Sequence, residues 1–346
     1  MLVGERALPR PARFWLRGVG ISLVVLVLSV LSLAPYLTSS AELVRLRNAL
    51  LLMDGGGLSF DWNPDQPPAS FVVEKEAPYP VFVEAASRLG LRQMSSDWDR
   101  AIAISRHLLS HPELNGPPIQ SNLRDTYRRI IERGEGYCSD FVRVFMAIAI
   151  AEGIPVRAWS FSLDGFGGHG HIWPEIWNRQ LGRWQLVDIY NNFYFHGNDG
   201  VAISALELRQ ALLRSPLSIR RAPLHPGARL GYASEEMLRD YYRRGLRGWY
   251  MQWGNNIFTY DRVIVDHKLG RVSRSLEQLD AIVSGVSPRV NLMVDETNRD
   301  DAKAMWRLRS HLLLVAGVDA LAVLAFVLCL AGWVRARKHA LAAGQS

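Results

Sequence analysis

The chain is almost without cysteine: two residues, Cys138 and Cys329, among 346. Cys329 falls inside a long apolar run, so no disulfide framework holds the polar part of the chain together. No Cys-x-x-Cys pair or wider histidine cluster offers an obvious zinc site. No internal repeat is visible, and no motif calls for a cofactor. A nucleic-acid reader's motifs are missing too. The net charge of +7 is spread out, with much of the excess beside the apolar runs, so nucleic acid is set aside as a partner.

What is present begins with those runs. Residues 18–37 are almost uninterruptedly apolar and follow Arg6, Arg10, Arg13 and Arg17. Residues 312–334 form a second run, followed by Arg335, Arg337 and Lys338. About 20 apolar residues at ~1.5 Å rise cross a hydrocarbon core, and both runs reach that length. Basic residues outside both ends predict a two-pass protein of the cell (inner) membrane, in contact with its lipid bilayer. Residues 1–17 and 335–346 then lie in the cytoplasm, and residues 38–311 lie on the other side. Arg45, Arg47, Arg307 and Arg309 on the opposite flanks reduce this asymmetry. A cleaved signal peptide ending near Ser39-Ser40-Ala41 is the alternative for the first run, which is longer than the usual ~7–15 apolar residues. Asp319 would be costly as a lone charge in the second span. It lies ~22 Å from the cytoplasmic end of its helix, and Ser32 lies ~21 Å along the first. The two helices are therefore expected to pack with Asp319 bonded near Ser32 or Ser29, unless the carboxylate reaches the interface.

Residues 38–85 read as a juxtamembrane connector: an amphipathic stretch (Leu43, Leu46, Ala49, Leu50), then a segment rich in Gly and Pro. Residues 86–195 read as a compact catalytic core. Ser95-Ser96-Asp97 caps a helix that runs to His111-Pro112, and a short basic helix covers 125–133. After Gly134-Glu135-Gly136 an apolar helix starts at Cys138, with Phe141, Val144, Phe145 and Ile148 on one face, and stops at Gly153. A strand is expected at 156–162 and a hairpin at 172–178 and 183–190. The glycine-rich loop at 165–170 is either a mobile lid or a plain connector. Residues 196–311 read as an accessory region packed on that core, with helices at 204–213, 234–244 and 276–283 and a short strand at 262–266. Its Arg-rich aromatic stretch, 241–253, either faces an anionic surface or packs through Tyr242, Leu246 and Trp249.

A lone thiol outside the cytoplasm is a liability unless it has a role. Cys138 sits at a helix start, where unpaired N–H groups and the helix dipole favour an anion. His171 is placed to take its proton and later deliver it, and Asp188 to hold the other ring nitrogen. The hairpin pairs positions near 176 and 185, which brings His171 and Asp188 together if 171 pairs with 188 or 190. The Cys138 N–H supplies one oxyanion donor, and Gln120 is a candidate second by analogy with other thiol hydrolases. Tyr137, Trp173, Glu175 and Trp184 are candidates to line the cleft or support these residues. Trp173 and Trp184 are read as core or cleft walls, with a substrate platform as the alternative, and Glu175 as an acceptor supporting the site or a salt-bridged surface residue. The alternative reading of His169 and His171 is a His-x-His metal site with Cys138 and Asp188.

Four ordered segments carry a resemblance: Arg133-Gly134-Glu135-Gly136-Tyr137-Cys138, Gly153-Ile154-Pro155-Val156-Arg157, His171-Ile172-Trp173-Pro174-Glu175-Ile176 and Gly182-Arg183-Trp184-Gln185-Leu186-Val187-Asp188. With them the chain resembles the transglutaminase-like superfamily of papain-like cysteine enzymes, in its bacterial membrane-anchored form. The resemblance implies an α+β fold, a helix bearing the nucleophile packed on an antiparallel sheet, here flanked by two transmembrane helices. It implies Cys138 as nucleophile, His171 as base and Asp188 as orienting residue. The family often has Asp-Pro after the last strand, where this chain has Asp188-Ile189. The expected function is amide cleavage or transfer through a Cys138 acyl-enzyme, acting on a protein, peptide or cell-envelope substrate. Peptidase or amidase action is favoured. A non-catalytic scaffold in an envelope or polysaccharide assembly is the alternative, and the metal site a third reading.

Overall fold

A computed structural model describes residues 10–53, 59–111, 116, 118–119, 121–214, 219–227, 232, 234–267 and 274–343. The contacts divide the chain into a helical unit, Met1–Leu46 with Ala304–Ser346, and a mixed unit, Arg47–Lys303.

Local chemistry explains most of the elements. The first apolar run is α1 (Arg10–Leu31), followed by α2 (Ser40–Leu50) and by α3 (Pro80–Arg88), which starts on a proline whose missing N–H costs nothing in a first turn. Ser96 accepts the N–H of Asp99 at 3.1 Å to open α4 (Asp97–Leu108). Asn122 accepts that of Asp125 at 3.0 Å to open α5 (Leu123–Arg133), and Gly134 closes it at φ 63°. Next come α6 (Cys138–Ala151) and the meander β1 (Val156–Ser162), β2 (Gly170–Asn178) and β3 (Arg183–Leu186). A separate antiparallel pair, β4 (Phe193–His196) and β5 (Arg220–Pro223), flanks α7 (Ala205–Arg214) in sequence. The chain then runs through α8 (Glu235–Gly245), β6 (Tyr250–Trp253), α9 (Ile257–His267), α10 (Arg274–Val283), β7 (Arg289–Leu292) and α11 (Arg299–Ala343).

The main sheet is antiparallel, in the order β3-β2-β1-β6-β7. Its last two strands come from the region expected to be accessory, so that region completes the sheet rather than resting on it. Side chains alternate across the strands. Val156, Ala158 and Ile176 face α6, whose Phe141, Val144, Phe145 and Ile148 are fully buried with residues of α3, α4 and α5. Trp159, Phe161, Trp173, Trp249 and Trp253 form an aromatic layer on the other side, packed with residues of α7 and α8. Within that layer lies a charged pair. Arg157 Nε donates to Glu175 at 2.6 Å, and neither side chain is exposed. The guanidinium stacks 3.8 Å from the ring of Trp184 and donates to the Phe60 carbonyl. Glu175 also accepts from the Trp159 indole (2.8 Å) and from the N–H of Ala205 at the start of α7 (2.7 Å). Glu175 is therefore a buried tie between two strands and a helix, not a cleft or surface group.

Two expectations change. Residues 262–266 belong to α9, not to a strand, although Val263, Ile264 and Val265 favour extended chain. Glu74, far away in sequence, accepts the N–H groups of Phe258 (2.6 Å) and Thr259 (3.2 Å) and so caps the helix. The hairpin pairs Ile176 with Gln185 as expected, but β3 ends at Leu186 instead of reaching Tyr190. Asp188 and Phe193 exchange both backbone hydrogen bonds (3.0 and 3.1 Å), and Asn192 turns the chain at φ 61°. Asp188 thus leaves the ladder and sits on a turn.

In the helical unit, α1 and the distal part of α11 are each long and apolar enough to cross a membrane. At 45 residues α11 is about 67 Å long, more than twice a ~30 Å hydrocarbon core. Ile21, Val24 and Leu28 on α1 and Leu321, Leu324 and Leu328 on α11 are exposed, which suits a lipid solvent. A Cβ at Gly18 would collide with Cys329, so the missing side chain permits close helix packing there. Ser29 donates to the Asp319 carboxylate, and Ser32 lies 3.0 Å from His311 Nε2. The carboxylate in the span is paired, as its cost in hydrocarbon requires.

Candidate active site

The turn before Cys138 is built around two residues. Gly136 has φ 116°, where a side chain would be strained and would crowd Asp140. Asp140, in the first turn of α6, accepts the N–H of Tyr137 (2.9 Å) and of Ile119 (3.0 Å). This buried carboxylate ties the preceding loop to the helix start, and Cys138 becomes the first helical residue. First-turn N–H groups have no carbonyl of their own helix to bind, so they are free to face a negative charge. Cys138 is half-buried and Tyr137 beside it is 47% exposed, so the thiol stands at an open rim.

His171 lies near the start of β2 and is buried. Its Nε2 meets Asp188 Oδ1 at 2.8 Å, and the Cys138 side chain is near enough to the imidazole to raise its pKa. Asp188 is fully buried and collects the His171 ring, the N–H of Asn191 (3.3 Å), the Asn191 amide (2.9 Å) and the Tyr242 hydroxyl. The Asn191 amide nitrogen is also 3.2 Å from Nε2, but an amide NH2 can only donate. The proton on Nε2 is therefore assigned to the bond with Asp188, which leaves Nδ1 free of that carboxylate. Burial by itself would lower the His171 pKa. The Asp188 charge and hydrogen bond, reinforced by Cys138, override that and raise it from 6.5 to about 10. At neutral pH the imidazole is then a cation between two groups that carry or accept negative charge.

Tyr241 and Tyr242 of α8 were not singled out for the site by sequence reasoning. Tyr242 is fully buried, and its pKa is raised well above 10.0 by burial and by the Asp188 charge. It stays protonated and donates to Asp188. The Tyr241 ring stands 6.2 Å from that of His171. Burial, then the charges of Asp188 and Cys138, raise its pKa as well. Adjacent helical residues point about 100° apart, so the neighbouring tyrosines face different ways, Tyr242 buried and Tyr241 half-buried. Tyr242→Phe leaves the shape and removes one donor from a buried carboxylate, which costs about 1–3 kcal/mol. The expected result is a Tm several degrees lower in thermal unfolding; an unchanged Tm would mean the hydroxyl contributes nothing.

The remaining predicted residues fall differently. Trp173 (0% exposed) and Trp184 (3% exposed) are core, and too deeply buried to be substrate platforms. Trp173 backs the site, its ring 5.6 Å from that of His171 and 5.6 Å from that of Tyr242. Gln120 lies outside the described residues. His169 precedes β2, so strand alternation does not put it beside His171; its side chain is 74% exposed and 3.4 Å from Asp164. Among the described residues no group of three His, Cys, Asp or Glu is placed to hold an ion, here or elsewhere, so the His169/His171 metal reading is withdrawn. In the 241–253 stretch Tyr242, Leu246 and Trp249 are buried, so it packs inward through them.

Residues 86–189 match the family model described as the transglutaminase-like superfamily. That part of the chain is a transglutaminase-like domain, and it contains Cys138, His171 and Asp188. Tyr241, Tyr242, β6 and β7 lie beyond the match. No curated protein and no solved structure matches the chain.

Proposed function

We propose that this protein is a membrane-anchored thiol enzyme that opens amide bonds through a Cys138 acyl-enzyme. The observation that carries the reading is the 2.8 Å bond from the buried His171 ring to the saturated Asp188 carboxylate, with Cys138 near enough to raise the imidazole pKa. The Cys138 thiolate attacks the amide carbonyl carbon, forming a C–S bond. As the C–N bond breaks, the imidazolium of His171 gives its proton to the leaving amine. Water, or an acceptor amine, then attacks the thioester and passes its proton to the imidazole, and the sulfur leaves as thiolate. Asp188 holds the ring in one tautomer throughout. Hydrolysis of a peptide or cell-envelope amide is the favoured outcome, in a domain held outside the cytoplasm by the basic flanks of the two apolar helices.

The test compares wild-type cells with cells carrying Cys138→Ala. New protein N-termini, or free amines on envelope peptides, are expected to disappear in the variant. A variant that keeps the full phenotype, with unchanged N-termini and amines, would favour the scaffold reading instead.

A further inference from the structure

α6 packs on β1 and β2, and a helix about 10 Å wide covers roughly two strands spaced ~4.8 Å apart. Where the sheet continues into β6 and β7, a cavity of about 130 Å³ is left beside α6. All of its lining belongs to the mixed unit. The wall starts at Ser139, next to Cys138 in the chain, and at Ile172, next to His171. From Ser139 it follows one stripe of α6 to Arg143 and beyond, and the end of α2 adds Arg47. The volume is far above the ~10–15 Å³ that a single water needs, yet below the several hundred Å³ of a typical small-molecule site. It suits one residue-sized group.

The lining carries two cations, Arg47 and Arg143, and no acid. They differ in what balances them. Arg143 Nη2 lies 3.4 Å from Asp261, which is fully buried and outside the lining. Arg47 is half-buried and has no acid partner among the described residues. Its Nε and Nη2 donate to the side-chain oxygen of Asn48 at 3.2 and 2.9 Å. Asn48 is itself buried, and its Nδ2 donates to the Phe166 carbonyl at 2.8 Å, so the orientation of that oxygen is fixed. The Asn48 oxygen is neutral and occupies only one edge of the fork. The adjoining edge, Nη1 with the second hydrogen of Nη2, keeps the parallel donors that match a carboxylate. A charge partly withdrawn from water is weakly screened, so an unbalanced guanidinium there draws an anion. The side chains of Ser139, Gln252 and Ser287, also in the lining, make no hydrogen bond among the described residues and are free to complete the anion's shell.

We propose that this cavity is a substrate subsite for a carboxylate close to the amide opened at Cys138, with Arg47 as the residue that binds it. This rests on the thiol-enzyme reading, and the two fail separately in the following experiment. The carboxylate is a C-terminus or an acidic side chain, and the probes separate these sources. Full-length Cys138→Ala protein, which cannot be acylated, is placed in phosphatidylcholine nanodiscs. It is titrated with N-acetyl-alanyl-alanine, with N-acetyl-alanyl-glutamate α-amide and with the neutral N-acetyl-alanyl-glutamine α-amide. At least one acid should bind saturably and about tenfold tighter than the neutral peptide, as one charge-assisted pair provides. The first acid identifies a C-terminus, the second a side chain. Arg47→Gln should erase the preference without lowering the Tm, because it leaves no acid unpaired, and Arg47→Lys should restore part of it. Ser287→Trp, at a half-buried position of the wall, should abolish binding. Equal binding of all three peptides, no saturable binding, or a preference that survives Arg47→Gln or Ser287→Trp overturns the subsite. Iodoacetamide labelling of the cysteine-containing protein reads the thiol separately. No preference for acids with brisk, His171-dependent labelling removes the subsite and keeps the enzyme. An Arg47-dependent preference with sluggish, His171-independent labelling removes the enzyme and leaves a carboxylate-binding cavity.

Discussion

Replacing His171 with alanine should slow alkylation of Cys138 by iodoacetamide about tenfold at pH 7, because the thiolate loses the cation beside it. The pH profile should change as well. Burial opposes the shift, but the Asp188 charge and hydrogen bond, with Cys138, raise the imidazole pKa to about 10, so a cation stands beside the wild-type thiol at neutral pH. The wild-type labelling rate is expected to exceed the variant's most at neutral pH and to approach it as the imidazole loses its charge near pH 10. The experiment belongs in a Cys329→Ala background, so that one thiol reports. Identical profiles for wild type and variant would remove the activated-thiol idea. The same shift has a stability consequence. A histidine raised from 6.5 to about 10 on folding contributes stability that is fully present below about pH 6.5. That contribution is lost as pH rises through about 10. The wild-type Tm should fall across this window, and His171→Ala should lose that part of the slope.

Glu175→Gln should have the largest effect on stability. It leaves the Arg157 guanidinium charged, fully buried and without its counter-ion. Breaking a buried pair in this way typically costs about 3–5 kcal/mol, which lowers the Tm of a unit of this size by roughly 10 °C. Thermal unfolding followed by tryptophan fluorescence reads it directly, because Trp159 and Trp184 border the pair. Replacing both partners, as Arg157→Met with Glu175→Leu, should recover much of the loss, since the cost lies in the unpaired charge. If Glu175→Gln melts with wild type, the pair is not the tie described above. Cys138 labelling in the folded variant should stay near the wild-type rate, which separates this structural role from the chemistry of His171 two turns of the pleat away.

The two predictions draw on different kinds of information in the chain. Cys138 at the first turn of α6, the glycines at 134 and 153 that end two helices, and the limits of β1 are written in neighbouring residues. Capping, left-handed backbone and alternation act over a few positions, so the sequence alone determined them. It also determined which thiol, imidazole and carboxylate stand in order, and which two segments can cross a bilayer. Tertiary structure decided the rest. Tyr242 reaches Asp188, Glu74 caps α9 from a segment far away in sequence, and β6 and β7 join β1 in one sheet. Glu175 looks like a surface acid until Arg157 and Trp159 close over it. Such contacts join residues far apart in the chain and leave no periodic or local mark. They form because burying the shared aromatic layer outweighs the local preferences of the segments that it draws together.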